Sequence, residues 1–382
     1  MRPGARQTRP GQDSIGTGGI QYFGGSEVQG TLQREILSGV ALVPQHDHRI
    51  LIVGAGSIGH RHLRCFRQTG RCQVAFVDPR ESIREELSQR YADVPSYGSL
   101  DEARNAYFNS AVIATPAPLH VPQSLQLLEA GLHLLIEKPL CLNLEEARQL
   151  EDFASTTNQT VNVAYVYRAN PLISRMREAI QHGSYGRPVE LIAYCGQHFP
   201  TYRPAYRDTY YREHESGGGA IQDALTHVFN AAQWLVGDME KIVVDADRKI
   251  LDGVEVEDTV HAIARHENGI MATYTLNQHQ PANELTITVV CEKGVVRLEN
   301  HKQRWRTMST PDGPWTDHQL PPFERDELFT RQANLFLDAV EGKSLPLCPL
   351  NEGIATLQAN IAAISSWREA TWKSTNLSEV RA

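Results

Sequence analysis

Lys138 follows an apolar run, LHLLI (132–136), and stands directly before Pro139. An ammonium at the end of a buried strand, with the next torsion locked by a pyrrolidine ring, can steady negative charge that develops on a ligand. Farther along, SGGGAIQDALTHVFNAAQWLVG (216–237) sets Asp223 and His227 four residues apart behind three glycines. In a helix that spacing puts a carboxylate and an imidazole on one face. Such a pair is either a solvated helix face or acid–base machinery, and glycines that admit close approach of another group favour the second. A third set, Gly54, Gly56 and Gly59 in GAGSIGHRH (54–62), matches GxGxxG: a tight turn, an open backbone for a pyrophosphate, and close packing of helix on strand. The pyrophosphate is expected on the helix N-terminus, at Ser57 and Ile58, where free N–H groups and the macrodipole favour anions.

These residues need elements to carry them. RILIV (49–53) leads into the glycine turn, and CQVAFVD (72–78) is a second strand ending in Asp78, about 20 residues past the glycines. A carboxylate there accepts hydrogen bonds from the adenosine ribose and repels a 2′-phosphate, which favours NAD; Arg80, two residues on, is a residue type that holds a 2′-phosphate, so NADP stays open. Helix 80–92, strand 109–116, helix 118–131, strand 132–139, a helix capped by Asn143 with Glu146 three residues on, and strand 160–168 complete an alternation that implies a doubly wound parallel sheet. Such sheets bind ligands beyond the carboxyl ends of their strands, where Thr115, Pro116, His120, Glu137 and Lys138 are expected against the cofactor, Lys138 facing the nicotinamide. Past residue 168 a helix hands over to period-2 runs, RPVELIAYCG, VEDTVHAIARH, GIMATYTLNQH, ELTITVVCE and GVVRLEN, which predict an α+β domain with a large, mostly antiparallel open sheet. The expected organisation is a flexible arm over 1–48, a Rossmann dinucleotide-binding domain over 49–168, a substrate and oligomerisation domain over 169–349, and a C-terminal helix over 350–382 that packs back on the first domain.

Composition removes other classes. The chain has 382 residues, 41% hydrophobic and 21% charged, with net charge −8 and no block of like charge, so neither nucleic acid nor a membrane surface is an expected partner. No apolar run approaches the roughly 20 residues that span a bilayer. Six scattered cysteines without CxxC spacing read as reduced thiols, and the expected setting is cytoplasmic. No metal is expected: His46 and His48 sit at the edge of the arm, and His198, Glu213, His214 and Glu215 fit no ligand spacing.

GAGSIGHRH, the ATP of 114–116 with His120 downstream, EKP at 137–139 and GGGAIQDALTH at 217–227 together resemble the Gfo/Idh/MocA family of nicotinamide-dependent sugar and polyol oxidoreductases over about residues 49–375. The resemblance implies a Rossmann domain followed by an open antiparallel sheet, a cis Lys–Pro bond, and catalytic Lys138, Asp223 and His227 at the domain junction. Many members carry an aspartate three residues after the histidine, and this chain has Asn230. The implied activity is hydride transfer between NAD(P) and a secondary alcohol of a sugar, sugar acid or cyclic polyol. An NAD-assisted glycosidase and a non-catalytic cofactor-binding regulator are the alternatives on the same fold. For alcohol oxidation the imidazole of His227, with an unperturbed pKa of about 6.5, is the expected base, so the rate should rise through the histidine range, and the Lys138 ammonium is expected to steady the alkoxide. The tyrosine- and arginine-rich stretch 194–216 offers Arg203, Tyr206 and Arg207 for an acidic or phosphorylated sugar. An open sheet face needs a cover, so a homodimer or homotetramer is expected.

Overall fold

The structure, a computed structural model, describes residues 48–376. The arm expected over 1–48 lies outside the described residues except for His48, which belongs to the first strand and whose Nε2 stands 2.7 Å from Glu341.

Six parallel strands form the first sheet: β1 (His48–Val53), β2 (Cys72–Val77), β3 (Ser96–Tyr97), β4 (Ser110–Ile113), β5 (His133–Ile136) and β6 (Val161–Val163), in the order β3-β2-β1-β4-β5-β6. Their near-continuous apolar sequences are those of strands covered on both faces. Ile50 and Ile52 point to one side, where α1 (Ser57–Gln68) and α2 (Glu81–Arg90) pack, and Leu51 and Val53 to the other, beneath α4 (His120–Glu129) and α5 (Leu144–Ser155); a single turn, α3 (Leu100–Ala103), precedes β4. The strand order reverses between β1 and β4, so the glycine turn after β1 opens at the point where such sheets take ligands.

After α6 (Pro171–Gln181) the chain builds a nine-stranded sheet. Its strands are β7 (Pro188–Gly196), β8 (Met239–Asp247), β9 (Thr259–His266), β10 (Met271–Asn277), β11 (Glu284–Cys291), β12 (Gly294–Glu299), β13 (Arg304–Met308), β14 (Thr316–Gln319) and β15 (Lys373–Ser374), in the order β14-β13-β12-β11-β7-β10-β9-β8-β15. All neighbours are antiparallel except β7 and β10. Between β7 and β8 lie the short α7 (Phe199–Tyr202), a series of 3₁₀ turns, a π-helical turn Ile221–Leu225 and α8 (Thr226–Val236). The inner face of the sheet buries Leu191, Ala262, Tyr274, Ile287 and Val296 against α6 and α8.

Two C-terminal helices tie the sheets together. α9 (Arg325–Val340) places Ala333, Phe336 and Leu337 on the α1 side of the first sheet. α10 (Leu350–Glu369) packs Leu350, Ile354 and Leu357 in the first core and Ala359, Ala362 and Ala363 in the second, so it belongs to both. No described helix is long and apolar enough to cross a membrane.

Candidate active site

The glycine turn is shaped by what a side chain would meet. Gly54 has φ +87°, and a Cβ there would lie 2.8 Å from the Ala114 carbonyl oxygen; at Gly59 it would lie 1.8 Å from the oxygen of Gly54. Both positions therefore require glycine. Gly56 differs: its nearest neighbour would be Arg80 Nη2 at 3.7 Å, leaving the space above it open. It is the N-cap of α1, with no side-chain cap and no acidic residue in the first turn, so the N–H groups of Ser57, Ile58 and Gly59, ahead of the first intrahelical bond from His60, are free for an anion. Ser57 is exposed, while the Ile58 side chain packs toward Cys65, Val166 and Phe329.

Asp78, at the end of β2, is 1% exposed and fully engaged. Its Oδ2 accepts from the Ala55 N–H (2.9 Å) and Arg80 Nη2 (2.7 Å), and its Oδ1 from the Arg80 N–H (3.0 Å) and Nε (2.8 Å). Burial pushes the carboxyl up, but the guanidinium and the two backbone donors outweigh it and hold it below the ordinary range. The side chain of Arg80 is largely exposed, so it can swing clear for a ribose to take its place on Asp78. An open Gly56, an uncapped helix N-terminus and a carboxylate at the second strand end fit a dinucleotide.

At the ends of β4 and β5 the expected residues converge, though not all on a ligand. His120 is buried with its Nε2 2.8 Å from the Thr115 oxygen and its Nδ1 at 3.0 and 3.2 Å from the oxygens of Pro139 and Leu140; it ties two strand-end loops together. Burial drives its pKa down. Thr115 Oγ1 donates to Gln123 at 2.7 Å, and Pro116 is exposed. Glu137 is buried between the Lys138 N–H (3.0 Å) and His62 Nε2 (2.7 Å), a partner on α1. Burial raises the Glu137 carboxyl, and His62 and Lys138 more than reverse this. The Lys138–Pro139 peptide is cis.

Lys138 Nζ donates to the Asp223 carbonyl oxygen (2.7 Å) and to its Oδ1 (3.1 Å). The same Oδ1 accepts the phenol of Tyr210 at 2.7 Å. Burial raises the Asp223 carboxyl, but the Lys138 ammonium, the Tyr210 hydroxyl and Arg203 bring it down to about 2, so it is ionised. His227 stands between the rings of Tyr165 (centroids 5.9 Å apart) and Tyr167 (5.1 Å), with Nδ1 buried and without a hydrogen-bond partner. Burial and the Lys138 charge push its pKa down to about 3. The expectation of a base near 6.5 is corrected: the imidazole is neutral across the physiological range because charging it here means desolvating it beside an ammonium. A second correction concerns spacing. Asp223 lies in the π-helical turn and His227 in α8, so the pair is not on two rungs of one regular helix, and no hydrogen bond joins them.

Of the three residues expected at a substrate, Arg203 is exposed, and the other two are engaged by the Asp252 carbonyl. Tyr206 is buried against Phe199 and Tyr211 and donates its hydroxyl to the Asp252 oxygen (3.0 Å); Arg207 Nε donates to the same oxygen (3.0 Å), and its guanidinium lies 4.7 Å from the Tyr206 ring centroid. Apolar packing and a carbonyl of another loop occupy the Tyr206 side chain, and the same carbonyl holds Arg207. Asn230 is a core group: it accepts from buried Arg168 (2.7 Å) and donates to Thr356 (2.9 Å). His214 is held by Glu257 (2.6 Å) and His198 by Thr201 (2.7 Å). No described group of three or more His, Cys, Asp or Glu side chains is placed to hold a metal ion. Sequence reasoning paired neither Tyr210 with Asp223 nor His62 with Glu137. Tyr210 is one of five tyrosines in an irregular stretch; His62 sits in the quoted GHRH segment, where only its register on α1 shows that it reaches Glu137.

Comparison with known proteins agrees with this architecture. Residues 48–165 match the oxidoreductase family with an NAD-binding Rossmann fold, and residues 173–297 match the GFO/IDH/MocA C-terminal domain. An inositol 2-dehydrogenase of Corynebacterium glutamicum is 25% identical over 315 residues, covering 79% of this chain and 88% of the relative. The scyllo-inositol 2-dehydrogenase (NAD(+)) of Bacillus subtilis is 22% identical over 339 residues, covering 85% and 95%. Among solved structures, a levoglucosan dehydrogenase in complex with NADH superposes with a TM-score of 0.78 at 18% identity, over 86% of this chain and 99% of the other. With the two family matches covering well over half of its length, the chain belongs to the Gfo/Idh/MocA family of oxidoreductases, with an NAD-binding Rossmann domain and a mostly antiparallel C-terminal sheet.

Proposed function

We propose that this protein oxidises a secondary alcohol of a sugar, sugar acid or cyclic polyol, with Lys138, Asp223 and His227 as its catalytic residues. The observation that carries the reading is the Lys138–Asp223 pair beside a partnerless, neutral imidazole, at the strand ends that also hold the glycine turn. The cofactor would be held by Gly54, Gly56, Ser57, Ile58 and Gly59 at its pyrophosphate and by Asp78 at its ribose, with Arg80 moving aside. Thr115, Pro116, Glu137 and Lys138 stand on its nicotinamide side, and His120 acts through the loops it joins. Bound NAD supplies the hydride acceptor. His227, uncharged and unpaired, takes the hydroxyl proton. Asp223, ionised and adjacent, stabilises the imidazolium that forms and fixes the lysine. Lys138 Nζ, held on two oxygens of Asp223, keeps a third N–H to direct at the developing alkoxide. The identity of relatives named for inositol and levoglucosan supports a polyhydroxylated ring as substrate. The reading includes assembly into a homodimer or homotetramer through the exposed face of the large sheet, and action in the cytoplasm.

The test is steady-state kinetics on a panel of inositols, sugars, uronates and sugar phosphates, followed as NADH formation. His227→Ala and Lys138→Ala are each expected to lower kcat by about 10²–10⁴, the range for a lost acid–base group, with NAD affinity nearly unchanged. Wild-type kcat in His227→Ala on the best substrate would move the base elsewhere. Release of free sugar without net NADH would assign the glycosidase reaction instead.

A further inference from the structure

We propose that His62 and Glu137 are positioning residues for the reaction: a buried imidazole–carboxylate brace, reaching from α1 to the end of β5, that fixes the backbone of Lys138 and so aims its ammonium. The proposal rests on reading Lys138 as the cation at the developing alkoxide, and goes further by naming what holds it there.

The ladder of the first sheet runs out at this lysine. The Glu137 N–H still donates to the Ile113 oxygen on β4 (2.9 Å), and the Ala164 N–H reaches the Ile136 oxygen (2.7 Å). Beyond them the strand pairing stops, and Pro139 has no N–H to give. The Glu137 side chain supplies what a neighbouring strand would: its Oε2 accepts the Lys138 N–H at 3.0 Å. Lys138 is thereby held at both ends, its backbone by Glu137 and its Nζ by the carbonyl and carboxylate of Asp223.

Glu137 is held in turn from the helix that opens at the glycine turn. Its Oε1 lies 2.7 Å from His62 Nε2, with His62 1% and Glu137 6% exposed. A carboxylate can only accept, so Nε2 carries the proton. His62 Nδ1 is buried without a hydrogen-bond partner, and the rings of Phe66 and Phe329 pack on the imidazole with centroids 6.4 and 5.6 Å away. The single hydrogen bond of this ring therefore goes to Glu137. Groups so deeply buried are costly unless they satisfy each other, and losing one leaves the other uncompensated. Burial raises the Glu137 carboxyl, and His62, ahead of Lys138, brings it below the ordinary range. The other titratable groups whose charge interacts with it are His120 on α4, Tyr210 and His227 on α8, and none of them hydrogen-bonds to its carboxylate among the described residues. Without His62, one backbone N–H is left to oppose burial.

The experiment is a kinetic pH series on the full chain at saturating NAD, with myo-inositol, scyllo-inositol and levoglucosan as probes. The variants are His62→Leu, His62→Gln, Glu137→Gln and His62→Leu/Glu137→Gln, with NADH binding as the check that each is folded. In His62→Leu the kcat/KM profile should gain a one-proton rise between about pH 5 and 8, the range into which a buried carboxyl with too few donors moves. The rise follows the charge on Glu137, because an ionised acceptor holds the Lys138 N–H more firmly than a protonated one. On the acid limb kcat should be down roughly tenfold to a hundredfold, the cost of a misaimed group, with NADH affinity nearly unchanged. His62→Gln, whose amide can donate to Glu137, should keep the wild-type profile, and the double variant should be flat at the low level. A flat profile in His62→Leu, or a rise that persists in the double variant, overturns the proposal. Glu137→Gln covers the case in which His62→Leu does not fold: it should lower kcat about tenfold or more, and wild-type kcat there overturns the proposal by itself. Failure of the underlying reading looks different, since Lys138→Ala would then keep wild-type kcat; a flat His62→Leu profile beside an impaired Lys138→Ala removes the brace alone.

Discussion

At the scale of single residues, the site is governed by which charges are compensated. Asp223 is held near 2 by an ammonium, a phenol and a guanidinium, while His227, at the start of α8, is driven to about 3 by burial and by the same ammonium. The base form of His227 is therefore complete at any pH well above 3, and is lost only as pH falls through that value. The kcat/KM profile for oxidation at saturating NAD should be flat where an ordinary histidine titrates; a one-proton rise centred near 6.5 would return His227 to the common range. Asp78 supports a second prediction. Its carboxylate holds the Ala55 N–H as well as facing the ribose position, so Asp78→Asn keeps an acceptor for the turn while removing the charge. That variant should lose about 1–3 kcal/mol of its preference for NAD over NADP, read as the ratio of dissociation constants. A wild type that binds NADP more tightly would mean that Arg80, not Asp78, decides.

At the scale of elements, the π-helical turn Ile221–Leu225 decides how Asp223 is presented. The chain enters it through Gly217, Gly218 and Gly219, laid between the 3₁₀ turns of 210–216 and the buried Glu257, whose Oε1 accepts the Ile221 N–H at 2.8 Å and whose Oε2 is 2.6 Å from His214. Gly219 has φ +92°, and a Cβ there would meet both Glu257 carboxylate oxygens at 2.8 Å. Gly219→Ala is thus expected to lower stability by about 1–3 kcal/mol and to reduce kcat as well, since the Asp223 N–H is bonded to the Gly219 oxygen (2.9 Å); unchanged denaturation midpoint and kcat would show the turn to be incidental. These elements also show where legibility ended. The glycine turn, the lysine after β5 and the order Lys138, Asp223, His227 were readable because each is fixed by local chain geometry: a positive φ, a strand end, a helix start. Tyr210, Tyr206 and Arg207 share one composition in one irregular stretch, and only tertiary packing turns the first toward Asp223 and the other two toward Asp252. The strand β8 went unread because its alternation, Ile242, Val244 and Ala246 inward, starts only three residues after a helix ends; the π-turn has no sequence signature at all.

At the scale of the whole molecule, the two faces of the nine-stranded sheet are unequal. One is covered by α6, α8 and α10, while on the other Ile192, Thr273 and Ile263 form a row across β7, β10 and β9, flanked by Thr288 on β11 and Val243 on β8. Ile192 and Ile263 are 41% and 46% exposed, and Met271 beside them is 48% exposed. β-branched residues in register on a nine-stranded sheet are suited to pack on an identical surface related by a two-fold axis, where each row meets its own copy. Two carboxylates introduced in the middle of that row would be desolvated against their symmetry mates, which costs far more than the lost apolar area. Light scattering at micromolar concentration should accordingly give a dimer or tetramer for the wild type and a monomer for Ile192→Asp/Ile263→Asp, with NADH binding retained because the row lies on the face away from α8. A wild-type monomer, or a double variant that stays assembled, would remove this face from the interface.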